Sequence, residues 1–280
     1  MGRQGEPSNM GAAAERPVPE QWPVGGAAAA LTLTANAGVL LCWHSHKLLV
    51  DGLHSGGGGQ FSAVPPWMQR DIVAGCPPFD GIGWLLFTHL HADHFSEDLI
   101  LRFLSRHPQA HLLMPEQDEG QSVFCRKLEE QGNIPQLLAT RRSGPVLLRL
   151  APGLEVTAFY VEHDGAQYRD MEHNCLLVSL DGRNALFLGD AAQDMERLGE
   201  VLQGTRVDTV ITNPLFLNRP AGRETLIRAI QPAKIVVNHI PFAWEDPHRF
   251  REMVARTVSR WRSVLPPVAV LWNPLDNITI

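Results

Sequence analysis

The sequence predicts a layered α/β domain, and three observations support this prediction. Short apolar runs alternate with Gly, Pro and Asn, which is typical of strands joined by turns. Later in the chain, stretches with helical periodicity and capping residues separate the apolar runs, which indicates helices between strands. The chain has 280 residues and is 44% hydrophobic, which suffices for one globular core.

The chain is expected to begin with a tail that lacks tertiary structure. Residues 1–27 contain four prolines and almost no bulky apolar side chain apart from Trp22. Such a segment buries too little surface to offset the entropy of ordering it. We therefore expect a disordered N-terminal tail over 1–27 and one folded domain over 28–280.

The first part of the domain is predicted to be mainly strands. A Ser at position 96, followed by Glu97 and Asp98, predicts the start of a helix. The predicted strands are 31–34, 39–43, 48–51, 83–88, 111–114, 147–150 and 154–161, and the predicted helices are 67–73, 99–106 and 116–131.

In the second part, strands alternate with helices. Asp181-Gly182 is a favoured two-residue turn and predicts a hairpin of strands 175–180 and 185–188. Asp246, with Pro247 at the first helical position, predicts the start of the last helix. The remaining predicted strands are 207–212 and 234–238, and the predicted helices are 193–203, 221–230 and 247–261.

Charge and composition make some classes of protein unexpected. The formal net charge is −6, so we do not expect a broad surface for nucleic acid. No apolar run reaches the roughly 18 residues of a membrane helix, and no export signal is visible. The four cysteines form no C-x-x-C pair, which favours a reduced, cytoplasmic protein. We expect a small molecule as the partner and leave the oligomeric state open.

One segment carries the strongest chemical signal. His89, His91, Asp93 and His94 place three imidazoles and a carboxylate within six residues after the predicted strand 83–88. Side chains two apart on a strand project the same way, so His89 and His91 can face one metal ion. Asp93 and His94 can turn toward a second ion. The lack of thiolate ligands favours a catalytic over a structural site.

Three further residues stand directly after predicted apolar strands: His163, Asp190 and His239. A fourth, His173, lies between His163 and Asp190. Two interpretations of His173 stay open: a catalytic group that reaches the substrate or protonates a leaving group, or an ordinary loop histidine. Tyr160 and Tyr168 are candidate donors to a developing oxyanion. For Tyr160 the alternative, which its position in the predicted strand 154–161 favours, is an ordinary strand residue.

This pattern resembles the metallo-β-lactamase-fold superfamily of metal-dependent hydrolases, in particular its lactonase-like branch. The resemblance rests on H-x-H-x-D-H at 89–94, a later His, Gly-Asp at 189–190 and a last His after a further strand. It covers about residues 30–275 and implies a four-layer αββα sandwich. It also implies the following ligands: His89, His91 and His163 on one ion, Asp93, His94 and His239 on the other, and Asp190 bridging them. Asp51 matches a residue that supports the metal loop without binding metal.

The resemblance implies a dinuclear hydrolase that uses a metal-bridged hydroxide on a small-molecule ester, lactone or related bond. Asp93 would orient the hydroxide as well as bind metal. Zn²⁺ is the first expectation for both ions, with Mn²⁺ or Fe as alternatives. Two other functions stay open: a phosphodiesterase or nuclease, and a non-hydrolytic metal-binding member. The Gly56–Gly59 run suggests a flap that carries Phe61 and Trp67 over the site.

Overall fold

The computed structural model describes residues 28–59, 61–117 and 121–280. The predicted tail, 1–27, lies outside the described residues. The first of two seven-stranded sheets has the order β14-β1-β2-β3-β4-β5-β6. Its strands are β1 (Ala30–Ala35), β2 (Gly38–Trp43), β3 (His46–Val50), β4 (Trp84–Leu86), β5 (His111–Pro115), β6 (Gln136–Leu138) and β14 (Asn277–Thr279).

The second sheet has the order β13-β12-β11-β10-β9-β8-β7. Its strands are β7 (Val146–Ala151), β8 (Leu154–Tyr160), β9 (Asn174–Leu180), β10 (Arg183–Phe187), β11 (Thr209–Thr212), β12 (Lys234–Val237) and β13 (Val268–Val270). β9 and β10 form the predicted hairpin, and both Asp181 (φ 48°) and Gly182 (φ 81°) adopt the left-handed conformation that this turn requires.

Helices cover the outer face of each sheet. The α-helices are α1 (Pro66–Ala74), α2 (Glu97–Arg106), α3 (Gln121–Glu130), α4 (Thr140–Ser143), α5 (Met195–Val201), α6 (Leu215–Asn218), α7 (Pro220–Thr225) and α8 (Phe250–Trp261). Short 3-10 turns lie at Gly57–Gly59, Ala166–Tyr168 and Ala243–Glu245, and a π-helical turn lies at Leu226–Ile230. Among the described residues, no helix combines the length and apolar character that a membrane crossing needs.

Alternating residues of the second sheet enter two different cores. Phe187, Ile211 and Val236 join the core that also contains the first sheet and α1–α3. Their strand neighbours Leu186 and Val210 instead pack with residues of α5, α6 and α8. Both faces of these strands are therefore buried, as the continuous apolar runs predict. The predicted αββα sandwich is confirmed.

Two predicted helices differ from the observed ones. Helix 247–261 begins only at Phe250, because Arg249 is left-handed (φ 55°) and the Asp246 carboxylate accepts hydrogen bonds from the backbone N–H groups of Phe250 and Arg251. Helix 221–230 divides into α7 and the π-helical turn at Leu226–Ile230. Short strands β6, β13 and β14 are not predicted, because three residues give too little alternation to detect.

Candidate metal centre

The candidate site lies where strands of both sheets end at one edge. β3 and β4 are parallel, as are β10, β11 and β12, so their carboxyl ends meet there. β8 runs the same way as β10, because each pairs antiparallel with β9. Side chains that follow these strands therefore converge although they are far apart in sequence. The residues at these ends are Asp51, His89, His163, Asp190, Asn213 and His239.

The seven predicted ligands form two adjacent groups. In the first group, here called the trio, one ligand atom of each of His89, His91 and His163 lies within 4.8 Å of the others. In the second group, here called the quartet, the same distance limit joins Asp93, His94, Asp190 and His239. The structure thus brings all seven side chains together in the grouping that the resemblance implies.

The prediction that His89 and His91 face one metal ion rests on the alternation of side chains along a strand. The two side chains do meet, but this reason is wrong. Strand β4 ends at Leu86, so both histidines lie on the following loop. A turn holds this loop: the carbonyl of His91 accepts hydrogen bonds from the backbone N–H groups of His94 (2.9 Å) and Phe95 (2.8 Å). The turn fixes the loop at His91, and the Thr88 hydroxyl contacts His89 Nδ1, so strand alternation is not what orients the two imidazoles.

Asp190 lies between the two groups. Its Oδ2 is 3.7 Å from His163 Nε2 in the trio and 3.7 Å from His94 Nε2 in the quartet. Its Oδ1 is 3.3 Å from His239 Nε2. Asp93 completes the quartet, with Oδ2 3.4 Å from the same His239 nitrogen. Asp190 is thus the residue whose two oxygens can serve both groups.

Three ligand histidines have a partner for Nδ1, which defines their tautomers. His163 Nδ1 lies 2.7 Å from the carbonyl of Asp164, which can only accept. His94 Nδ1 lies 3.0 Å from the Asp51 carboxylate, and His89 Nδ1 lies 3.1 Å from the Thr88 hydroxyl. In each case Nδ1–H donates outward and Nε2 faces the site. Metal-binding histidines are oriented in this way in proteins.

Two of these inward nitrogens have no partner. The Nε2 atoms of His89 and His163 are buried and form no hydrogen bond within the described part of the chain. A buried ring nitrogen without a partner is costly. A cation would accept both lone pairs, so the donor set fits a metal ion.

The trio and the quartet differ in charge. Burial lowers the pKa of His89 well below its usual value, and burial and then the nearby His163 lower that of His91. Imidazoles that stay neutral keep the lone pair that a metal ion needs. His89 and His91 are therefore neutral donors.

In the quartet, charge outweighs burial. Burial opposes the charge of His239, but Asp190 and Asp93 raise its pKa to about 9. For His94, the carboxylates of Asp51 and Asp190 likewise overcome burial and raise the pKa well above its usual value. Burial opposes ionisation of Asp93, but the hydrogen bond from His239 and the charge of His94 lower its pKa to about 2. Without a metal ion, the quartet thus pairs two carboxylates with two imidazoles that they keep protonated, and a cation would take the place of those protons.

Asp51 is not a member of either ligand group but supports them from behind. Its Oδ1 accepts the backbone N–H of Thr88 (2.8 Å) and its Oδ2 accepts the Thr88 hydroxyl (2.7 Å). The same Oδ2 contacts His94 Nδ1. These contacts agree with the supporting role implied by the resemblance.

The structure places His173 away from the substrate side. It is fully buried, and both ring nitrogens contact backbone: Nδ1 lies 3.1 Å from the Val161 carbonyl, and Nε2 lies 3.1 Å from the backbone nitrogen of Asp190. Burial lowers its pKa to about 3. A general acid needs a proton that it can transfer and access to the substrate. The Nδ1 hydrogen of His173 is held by the Val161 carbonyl and the ring is fully buried, so His173 meets neither condition.

Two asparagines at the site are not among the predicted residues. Asn36 Nδ2 donates to the Asp93 carboxylate (3.2 Å), and the Asn36 carbonyl accepts the backbone N–H of His239 (2.7 Å). Asn213 Nδ2 contacts Asp190 Oδ1 at 3.4 Å. Asn213 directly follows β11, so the strand-end rule that found Asp190 could have found it. Asn36 directly follows β1, but an Asn is so common in a hairpin turn that its position alone does not mark it as a site residue.

A cavity of about 760 Å³ opens beside the two groups. His163, Asp190 and His239 form part of its wall, together with Phe61 and Tyr168. The Phe61 ring lies edge-on to His239 with the ring centroids 5.0 Å apart, as the predicted flap requires. Trp67, the other predicted flap residue, packs against the core instead. The Tyr168 ring lies 4.6 Å from that of His91 and 4.7 Å from that of His163.

No protein-family model matches the sequence, and no curated protein matches it. Solved structures do match. YhfI from Bacillus subtilis, a metallo-β-lactamase fold protein, has a TM-score of 0.61 and 12% identity, covering 90% of this chain and 100% of that one. A possible metal-dependent hydrolase from Veillonella parvula DSM 2008 has a TM-score of 0.63 and 15% identity, covering 91% of this chain and 100% of that one.

A third match is to CmlA, a diiron β-hydroxylase from Streptomyces venezuelae, with a TM-score of 0.55, 18% identity and 93% of this chain covered. The chain spans about half of CmlA, 55% of its length. At these identities the similarity shows the fold alone. The chain therefore has the metallo-β-lactamase fold, and its His and Asp cluster is able to bind metal.

Proposed function

We propose that the protein is a dinuclear metal-dependent hydrolase of a small-molecule ester, lactone or related bond. One observation carries the proposal: seven side chains from four separate chain segments converge as two adjacent ligand groups, with Asp190 close to both. Burying so many titratable groups costs free energy that a metal centre would repay.

We assign the trio to one ion, Asp93, His94 and His239 to the other, and Asp190 to both. Imidazole and carboxylate ligands suit Zn²⁺, Mn²⁺ and Fe, and we propose Zn²⁺. Such a pair of ions, when bound, lowers the pKa of water and polarises the bond under attack.

In this proposal, the protein's own side chains orient water, hold the ligand carboxylate of Asp93 and contact the substrate. Asp93 stays ionised because its pKa is about 2, so its carboxylate can accept a hydrogen bond from water and orient it. Asn36 holds that carboxylate in place from the turn after β1. Tyr168, packed on His91 and His163 at the cavity wall, is placed to contact a substrate bound beside the trio.

The cavity supports a small substrate over nucleic acid. Its volume of about 760 Å³ lies within the range of small-molecule pockets. Arg219 is the one Arg or Lys among its described lining residues, and its guanidinium pairs with Asp164 at 2.8 Å. A phosphodiester polymer would require free cationic side chains along its path.

Metal analysis and a substrate screen test the proposal together. The purified protein is loaded with Zn²⁺, Mn²⁺ or Fe and assayed on lactones, aryl esters, thioesters and phosphodiesters. We expect about two ions per chain and turnover of one neutral ester class. His91→Ala and Asp190→Ala should abolish this turnover, whereas His111→Ala, an exposed histidine on β5, should not. Full metal loading without hydrolysis would refute the proposal.

A non-hydrolytic iron site is the second candidate. The similarity to the fold of CmlA, described as a diiron β-hydroxylase, favours it. Imidazole and carboxylate ligands also suit iron. Consumption of O₂ by the iron-loaded protein with a reductant, in the absence of ester turnover, would select this function.

A further inference from the structure

His173 and its neighbour Asn174 touch all three chain segments that carry His89, His163 and Asp190. His173 Nδ1 reaches the carbonyl of Val161, two residues before His163. His173 Nε2 reaches the backbone nitrogen of Asp190 itself. The backbone N–H of Asn174 donates to the carbonyl of Thr88 at 2.8 Å, next to His89.

The two partners of His173 define its tautomer. A carbonyl oxygen can only accept, so Nδ1 carries the hydrogen that is donated to Val161. A backbone N–H can only donate, so Nε2 is the acceptor for Asp190. The neutral ring thus joins two ligand-bearing segments, with one hydrogen bond from each of its two nitrogens.

The contact between His173 Nε2 and the Asp190 backbone depends on the lack of a side chain at Gly189. A Cβ added at Gly189 would lie 2.9 Å from His173 Nε2 and 2.8 Å from the Thr88 hydroxyl. Only the absence of a side chain lets the 189–190 backbone approach the imidazole this closely. Gly189 also has a φ of 53°, which aims the Asp190 N–H at the ring.

We propose that His173 is a positioning residue of the metal centre, fixing His163 through the Val161 carbonyl and Asp190 through its backbone N–H. This inference rests on the proposed metal centre but not on hydrolysis. Residues that hold metal ligands in place change metal affinity about 10- to 100-fold when they are replaced. His173 therefore sets the affinity of both ligand groups without touching a metal ion.

Three substitutions of His173 test its two hydrogen bonds: one removes both bonds, and the other two keep one bond each. His173→Phe keeps a ring of similar shape and removes both bonds. His173→Gln keeps an acceptor near the Nε2 position, and His173→Asn keeps a donor near the Nδ1 position. His107→Phe is the matched control, because His107 also bonds a backbone carbonyl, that of Val73 at 3.1 Å, but lies at the end of α2.

The first readout is Zn²⁺ affinity from titration against a chromophoric chelator, with Co²⁺ absorption reporting ligand geometry. We expect His173→Phe to weaken Zn²⁺ binding about 10- to 100-fold and to alter the Co²⁺ spectrum. His173→Gln should restore the contact with the Asp190 backbone and His173→Asn the contact with the Val161 carbonyl, so each should bind Zn²⁺ more tightly than His173→Phe. His107→Phe should bind as the parent protein does. If His173→Phe and His107→Phe lower the free energy of unfolding to a similar extent while both ions still bind with the affinity of the parent protein, His173 only packs in the core and the inference is wrong.

The second readout needs no metal. In the ¹⁵N-histidine NMR spectrum of the metal-free protein, His173 should show a protonated Nδ1 and an unprotonated Nε2 from pH 5 to 8. The opposite tautomer would overturn the inference. A parent protein that binds two ions but hydrolyses nothing would refute the proposed function and leave this test of His173 intact, whereas a parent that binds no metal would refute both.

Discussion

Replacement of Asp51 by Asn tests how the quartet is oriented. The Asn oxygen can still accept the backbone N–H of Thr88, which lies 2.8 Å from Asp51 Oδ1. The Asn amide nitrogen, however, stands where Oδ2 now accepts the Nδ1–H of His94 at 3.0 Å. Two donors then face each other, so His94 must carry its hydrogen on Nε2. That nitrogen is the one that faces the quartet, and its lone pair is lost to a metal ion.

We expect Asp51→Asn to weaken metal binding at the quartet about 10- to 100-fold, the usual effect of losing such a supporting group. This corresponds to about 1.4–2.8 kcal/mol of binding free energy. The trio should keep its affinity to within a few fold, because Asp51 reaches it only through Thr88. A two-site Zn²⁺ titration against a chromophoric chelator measures both affinities.

Asp208→Asn is the matched control. Asp208 Oδ2 also accepts a backbone N–H, that of Asn184 at 2.9 Å, but Asp208 precedes β11 at the opposite edge of the sheet. It should leave both affinities unchanged. Equal losses at the two ligand groups after Asp51→Asn, or no loss at either, would refute the tautomer argument.

Three further predictions concern stability and substrate binding. Gly189→Ala should destabilise the fold in urea more than Gly182→Ala, because both positions have positive φ but nothing lies within 4 Å of a Cβ at Gly182; equal losses would show that the site relaxes freely. Burial lowers the pKa of His54 to about 3 from 6.5, so the unfolded chain gains its proton first. The stability that neutral His54 contributes is then fully present above about pH 6.5 and falls toward pH 3 by about 1.4 kcal/mol per pH unit. His54→Leu should therefore flatten the pH dependence of the free energy of unfolding measured in urea. Phe61→Ala should raise KM several-fold without changing metal content; an unchanged KM for every substrate would show that the ring does not line the occupied cavity.

Much of the fold is predictable because its signals are local. The hairpin at Asp181-Gly182 depends on two residues that tolerate the left-handed conformation, and both adopt it. Strands β11 and β12 come from short apolar runs that are buried on both faces. The predicted start of α8 at residue 247 is wrong, because the Asp246 carboxylate accepts hydrogen bonds from the backbone N–H groups of Phe250 and Arg251. The presence of a capping Asp in the sequence does not by itself define which residue is the first in the helix.

The sequence by itself determined the chemistry of the site: which seven side chains are candidates, and that each stands near the end of a strand or in the 89–94 loop. Imidazole and carboxylate at such positions have few other uses, so residue type and order suffice. Only the tertiary structure decided how they are held. The tautomers of His94 and His163, the hold of Asn36 on Asp93 and the burial of His173 between two backbone groups depend on partners far away in sequence. Such hydrogen bonds form only after the sheets have packed, and no local pattern encodes them.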